Sequence, residues 1–109
     1  PSEINKKNAA KIAKIVAKHL KNGSLVIAHD ARLSSPELYQ SIIEALPPER
    51  IVKVGLSSSP MFYFLVNKLK AAGGLMVTAS HNPKDFNGLK VVGKKAIPIS
   101  GVEILKWII

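Results

Sequence analysis

Residues 24–36 read Ser24-Leu25-Val26-Ile27-Ala28-His29-Asp30-Ala31-Arg32-Leu33-Ser34-Ser35-Pro36. Ser24 to Ala28 is a short apolar run with β-branched members, the pattern of a strand buried on both faces. A polar loop, His29 to Leu33, follows it. Ser34-Ser35-Pro36-Glu37 then supplies a capping serine, an early proline and an acid in the first turn, the signals that open a helix. That helix is predicted to end near Leu46, before Pro47-Pro48. The unit then recurs. Ile51 to Val54 is a second short strand, Gly55 to Pro60 a loop with a serine cap and a proline, and Met61 to Lys70 a second helix. Leu75 to Thr78 is a third strand, entered through Gly73-Gly74.

Strand, helix, strand, helix, strand implies parallel strands joined by right-handed crossovers. Residues 5–22 precede the first strand as an amphipathic helix. Its apolar stripe is Ala9, Ile12, Ala13, Val16 and Leu20, and Gly23 is its expected stop. Between Val77 and Leu89 there is no room for a crossover helix. Asn87-Gly88 signals a turn, so Leu89 to Val92 must return antiparallel at a sheet edge. Residues 100–109 begin a further helix. The expected fold is therefore three-layer α/β/α over a mixed four-stranded sheet, three strands parallel and one antiparallel at the edge.

Composition limits the function classes. The chain has 109 residues and no cysteine, which excludes a disulfide scaffold, a cysteine zinc site and a thiol nucleophile. No apolar run is long enough for a transmembrane helix, and Pro1-Ser2-Glu3 lacks a signal-peptide pattern. A cytoplasmic protein is the expectation. The chain begins with proline and ends on Trp107-Ile108-Ile109, which reads as one domain cut from a longer polypeptide. A net charge of +9 raises the alternative of a basic nucleic-acid-binding module. Against it, only Arg32 and Arg50 carry arginine's forked donors. Lys7, Lys11, Lys14, Lys18 and Lys21 recur at helical spacing, as one solvated face does.

Parallel topology brings the loops after the first three strands to the carboxyl edge of the sheet, where α/β proteins place ligands. Asp30 to Ser34, Gly55 to Ser59 and Ala79 to Asn82 are expected to meet there. Thr78-Ala79-Ser80-His81-Asn82-Pro83 is the most unusual of these stretches. Small polar residues directly after a buried strand can aim successive N–H groups at one point and form an anion-binding nest. Ser80 adds a hydroxyl and His81 a proton acceptor or a cation. Asn82-Pro83 fixes the turn, and Lys90 returns toward the same edge. Singly, each has an ordinary reading: loop polar residues, a surface histidine, an edge-strand lysine that discourages aggregation. Adjacent Ser80 and His81 diverge and lack a third residue to orient the base, so a serine hydrolase is not indicated. The Ser-Ser-Pro echo reads as structural punctuation.

Thr78-Ala79-Ser80-His81-Asn82-Pro83 resembles the active-site signature of the α-D-phosphohexomutases, the phosphoglucomutase/phosphomannomutase family. Residues Ala28 to Pro36 resemble the segment after that family's second strand, and Asn87-Gly88-Leu89-Lys90 resembles its Asn-Gly-x-Lys. The resemblance covers nearly the whole chain in order and spacing. It implies that residues 1–109 are most of domain I of a four-domain enzyme, without the family's first strand and domains II–IV.

The resemblance assigns roles as follows. Ser80 would carry a phosphoryl group and give it to a hexose monophosphate, forming a bisphosphate that returns its other phosphoryl group. His81 would position the phosphate or assist transfer. Lys90 would act beside the transferring oxygens as charge stabiliser or general acid/base. Thr78, Asn82 and Arg32 would bind substrate or phosphate, with Asp30 and Arg32 organising the loops. Mg²⁺ would be held by an oxygen of the Ser80 phosphate and, mostly, by aspartates of domain II. Hexose 1,6-bisphosphate would serve as activator. The implied partners are the hexose phosphate and the remaining domains of the same polypeptide, not nucleic acid or membrane. His29 stands where many members have arginine. A phosphoglucosamine mutase is the alternative within the family, and domain I alone does not decide the sugar. The fragment alone is expected not to turn over. Without the first strand, one sheet edge is expected to be unpaired and to weaken the fold or promote association.

Overall fold

The computed structural model describes residues 6–30, 37–78 and 88–108. The chain runs α1 (Lys6–His19), β1 (Leu25–His29), α2 (Glu37–Ala45), β2 (Ile51–Leu56), α3 (Ser59–Lys68), β3 (Gly73–Val77), β4 (Leu89–Val92) and α4 (Gly101–Ile108). Short 3-10 turns cover Pro48–Arg50 and Lys94–Ala96. The sheet order is β2-β1-β3-β4. β1 pairs parallel with both β2 and β3, and β4 runs antiparallel to β3. This is the mixed sheet that the strand and helix spacing predicts.

Alternation along the strands divides the core into two layers. Leu25, Ile27, Leu75, Val77, Leu89 and Val91 face α1, α2 and α4, where Ile12, Val16, Ile42 and Ile104 are buried. Val26, Ala28, Met76 and Val92 face the other way, against Phe62 and Val66 of α3. A strand covered on both faces has no polar side to show, and the unbroken apolar run at residues 25–28 follows from that. Lys7, Lys11, Lys14 and Lys18 of α1 and Lys21 just past it are all exposed, forming the solvated face their spacing predicts.

Several boundaries differ from the sequence expectation. α1 ends at His19, and Asn22 rather than Gly23 takes the left-handed backbone, at φ 62°. Asparagine tolerates that region. Gly23 is small because it abuts Ala72, whose Cβ would lie 3.0 Å from an added Cβ. Gly73 and Gly74 belong to β3 itself. A Cβ on Gly74 would meet Val26 O at 2.7 Å and the Phe62 ring at 2.8 Å. β2 continues through Gly55 and Leu56, because a bulge between Ile27 and Ala28 shifts the pairing to Ala28 with Gly55. Gly55 has φ 77°, the backbone such a bulge uses. α3 starts at Ser59, capped by Ser58, whose hydroxyl accepts from the Met61 N–H at 3.2 Å.

The outer edge of β4 is covered. Ile99 N–H donates to Val91 O at 2.8 Å, and Gly93 N–H donates to Ile97 O at 2.9 Å. The outer edge of β2 has no strand against it among the described residues, and Lys53 and Leu56 are exposed there.

Candidate functional site

Three strands deliver their ends to one edge, and backbone hydrogen bonds fasten those ends together. Asp30 N–H donates to Val77 O at 3.0 Å, and Ser57 N–H donates to His29 O at 2.8 Å. The first residue past β1 is thus tied to β3, and the first past β2 to β1. Side chains add a further link. Thr78, only 6% exposed, donates its hydroxyl to Asp30 Oδ2 at 2.6 Å. Such a short bond is typical of a hydroxyl donor to an ionised carboxylate.

Residues 79–87 leave from Thr78 and return at Gly88. Thr78 N–H donates to Gly88 O at 2.8 Å, so both flanks of the segment are pinned at the sheet edge. Gly88 has φ 89°, and a Cβ there would lie 3.0 Å from Thr78 O. Glycine is required at this return by both conformation and space. Ser80, His81, Asn82 and Arg32 lie outside the described residues, as do Ser34 to Pro36 at the expected start of α2.

Lys90 is described, and it lies on the α3 face of the sheet. It pairs in register with Met76 of β3, and successive residues of a strand face opposite ways. Leu89 and Val91 therefore enter the α1/α2 core, while Lys90 points toward α3. Its ammonium donates to Ser59 Oγ at 3.0 Å and lies 6.0 Å from the centre of the Tyr63 ring. Ser59 is the first residue of α3, and α3 follows β2. The ammonium therefore stands at the carboxyl edge, as its strand position predicts.

His29 is held between backbone and ring. Its Nδ1 lies 3.1 Å from Asp30 O, and its imidazole meets Tyr39 edge-on at 4.9 Å. The Tyr39 hydroxyl accepts from Gly55 N–H at 3.0 Å and reaches Ile27 O at 3.4 Å. It joins α2 to both strands across the bulge. Burial raises the Tyr39 phenol above its ordinary value of 10.0, with the Gly55 hydrogen bond acting in opposition.

Tyr39 and Ser59 were not singled out by the sequence. Ser59 lies in a loop predicted at the ligand edge, which is the one local signal for it. Tyr39 occupies an apolar helix position and gives no such signal. Among the described residues no three of His, Asp and Glu come together as a cation site. No helix among them is long and apolar enough to cross a membrane.

Comparison with known proteins adds to this geometry. The family profile described as phosphoglucomutase/phosphomannomutase, alpha/beta/alpha domain I, matches residues 1–108. A protein of Xanthomonas campestris pv. campestris (strain B100) named phosphohexose mutases is 43% identical over 102 residues, covering 92% of this chain and 23% of that protein. A phosphomannomutase of Klebsiella pneumoniae is 38% identical over 101 residues, covering 91% of this chain and 64% of its own length. A phosphomannomutase of Escherichia coli is 38% identical over 101 residues, with 91% and 22% covered. Against the Xanthomonas and Escherichia proteins, the chain spans less than a quarter of the relative's length.

Proposed function

The chain belongs to the phosphoglucomutase/phosphomannomutase α/β/α domain I family, and from that footing we propose that Ser80 carries the phosphoryl group in a hexose phosphate mutase. Residues 1–109 form most of its first domain, and the other domains of a longer polypeptide complete the cleft. The observation that carries this reading is the anchoring of Thr78. It stands at the carboxyl edge, tied to Asp30 by its hydroxyl and to Gly88 by its N–H, and it is the residue from which the Ser80 segment leaves.

The reaction needs positioning and charge neutralisation more than covalent ingenuity. A hydroxyl oxygen of the sugar monophosphate attacks phosphoserine 80. The bond from phosphorus to Ser80 Oγ breaks as the new sugar–phosphate bond forms, and the hydroxyl proton passes to a base. The bisphosphate turns over in the cleft. Ser80 Oγ then takes the other phosphoryl group, and a proton returns to the released sugar oxygen. The Lys90 ammonium neutralises charge on the transferring oxygens or relays the proton. His81 and Asn82 hold the phosphate, while Thr78, Arg32 and Asp30 shape the loops around it. Hexose 1,6-bisphosphate restores the phosphoserine when it is lost.

Mg²⁺, a hard cation that favours oxygen ligands, supplies charge neutralisation when bound. Among the described residues no three of His, Asp and Glu come together as a cation site; on this reading, the ligands beyond the Ser80 phosphate are mostly aspartates of the second domain.

The test is intact mass and peptide mapping of the longer protein that carries this chain, with and without phosphatase. One phosphate is expected on Ser80, and Ser80→Ala is expected to remove both the modification and most mutase turnover. Phosphate found on Ser57, Ser58 or Ser59 overturns the assignment. The isolated chain is expected not to convert glucose 1-phosphate or mannose 1-phosphate.

A further inference from the structure

Strand register brings Lys90 to the carboxyl edge, and among the described residues one hydroxyl holds its ammonium there. Its ammonium lies at the N-terminal end of α3, whose first turn contains no acidic residue. A helix N-terminus carries partial positive charge, so the dipole does not draw a cation there. The Tyr63 ring, 6.0 Å away, is at the outer limit of a cation–π contact. The close polar partner is Ser59 Oγ at 3.0 Å.

Met76 stands beside that hydroxyl. Ser59 Oγ lies 4.0 Å from Met76 Sδ and donates to it. Thioether sulfur is only a weak acceptor, and the hydroxyl oxygen accepts from the ammonium. Met76 is the residue paired with Lys90 across β3 and β4. The three side chains therefore close a triangle from two neighbouring strands and the start of one helix. The cap of α3 is separate, since Ser58 supplies it.

We infer that Ser59 is a positioning residue that holds the Lys90 ammonium at the carboxyl edge, oriented for phosphoryl transfer. This rests on the reading that Lys90 acts on the transferring phosphoryl group. A lysine stem has many rotamers, and restraining them before substrate arrives removes an entropic cost from the chemical step. The hydroxyl makes no contact with the reacting atoms in this role and acts only through Lys90.

The test is steady-state kinetics of the full-length mutase carrying this chain, as wild type, Lys90→Ala, Ser59→Ala, Ser59→Thr and the double variant Ser59→Ala/Lys90→Ala. Ser59→Ala is expected to lower kcat about tenfold, the weight of one hydrogen bond to a charged group, with KM little changed. Lys90→Ala is expected to lose about a hundredfold or more. Ser59→Thr keeps a hydroxyl and is expected to recover most of the loss. The double variant is expected to be no slower than Lys90→Ala. Wild-type kcat in Ser59→Ala, a loss that adds fully to that of Lys90→Ala, or no recovery in Ser59→Thr overturns the role of Ser59 and leaves that of Lys90 standing. Wild-type kcat in Lys90→Ala overturns the role of Lys90 itself, and the inference with it. Because Ser58 keeps the helix cap, the Ser59 variants are expected to match the wild-type circular dichroism.

Discussion

The Thr78 hydroxyl donates to Asp30 Oδ2 at 2.6 Å, fastening the first residue past β3 to the first residue past β1. The two lie 48 positions apart in sequence, yet they are neighbours because β1 and β3 pair in parallel, His29 beside Val77. This link and the backbone bond from Asp30 N–H to Val77 O make the sheet edge one rigid rim.

Thr78→Val keeps the shape of the side chain and removes the donor. Thr78 is buried, so water replaces the hydroxyl poorly at the Asp30 carboxylate. A hydrogen bond to a charged group contributes about 1.5–3 kcal/mol, and a loss of that size is expected in the unfolding free energy. Urea denaturation measures it, and Thr78→Ser is expected to recover most of it. Equal stability of the valine variant and wild type would show that the link does not hold the rim.

Gly74→Ala tests the close packing of β3 against β1 and α3. An added methyl would meet Val26 O at 2.7 Å and the Phe62 ring at 2.8 Å. Backbone cannot yield, and Phe62 is fully buried. Overpacking of this kind costs about 1–3 kcal/mol, read as a lower midpoint in thermal or urea unfolding. Lys53→Ala, at an exposed position on β2, is expected to change stability by less than about 0.5 kcal/mol.

The fold was legible because its signals are local. Apolar runs at residues 25–28 and 75–77 mark doubly covered strands, serine and proline mark the start of α3, and the short interval from Val77 to Leu89 forces β4 to return antiparallel. Boundaries shifted where glycine serves a neighbour and not a turn. Gly74 admits Phe62, and Gly55 makes a bulge, so both lie inside strands that the sequence pattern ends or begins elsewhere. The contacts that organise the site and the end of α1 join distant residues. Lys90 to Ser59 spans 31 positions and Arg50 to Ala17 spans 33, and no periodicity encodes either. Thr78 and Lys90 could be assigned to the ligand edge because strand position alone decides that. The partner that holds the Lys90 ammonium could not.

Tyr39 supplies a pH prediction. Burial raises its phenol above 10.0 in the folded chain. A raised value means that the folded state holds the proton more tightly than the unfolded state does. Tyr39's contribution is then complete below pH 10 and is lost as pH rises through the higher folded value. Tyr39→Phe is expected to cost about 1 kcal/mol at pH 7, because Gly55 N–H loses its acceptor. The gap between wild type and variant is expected to narrow above pH 10. Urea titrations at pH 7, 9 and 10.5 measure this, and a gap that widens with pH contradicts the assignment.

Arg50 closes α1 from outside the helix. Its Nη1 donates to Ala17 O at 2.8 Å and its Nε to Gly23 O at 2.7 Å, while Nη2 donates to Leu20 O. The last carbonyls of a helix have no partner within it, and a cation there also complements the helix dipole. One planar fork serves three carbonyls at fixed angles, which an ammonium cannot reproduce. Arg50→Ala is expected to lower stability by about 2–3 kcal/mol, as carbonyls that bonded a charged group lose it. Arg50→Lys is expected to recover less than half. Hydrogen exchange gives the local readout. Amides in the last turn of α1 are expected to lose protection in both variants more than those of β1 and β3. Full recovery by lysine would show that charge alone, and not the geometry of the guanidinium, secures the end of the helix.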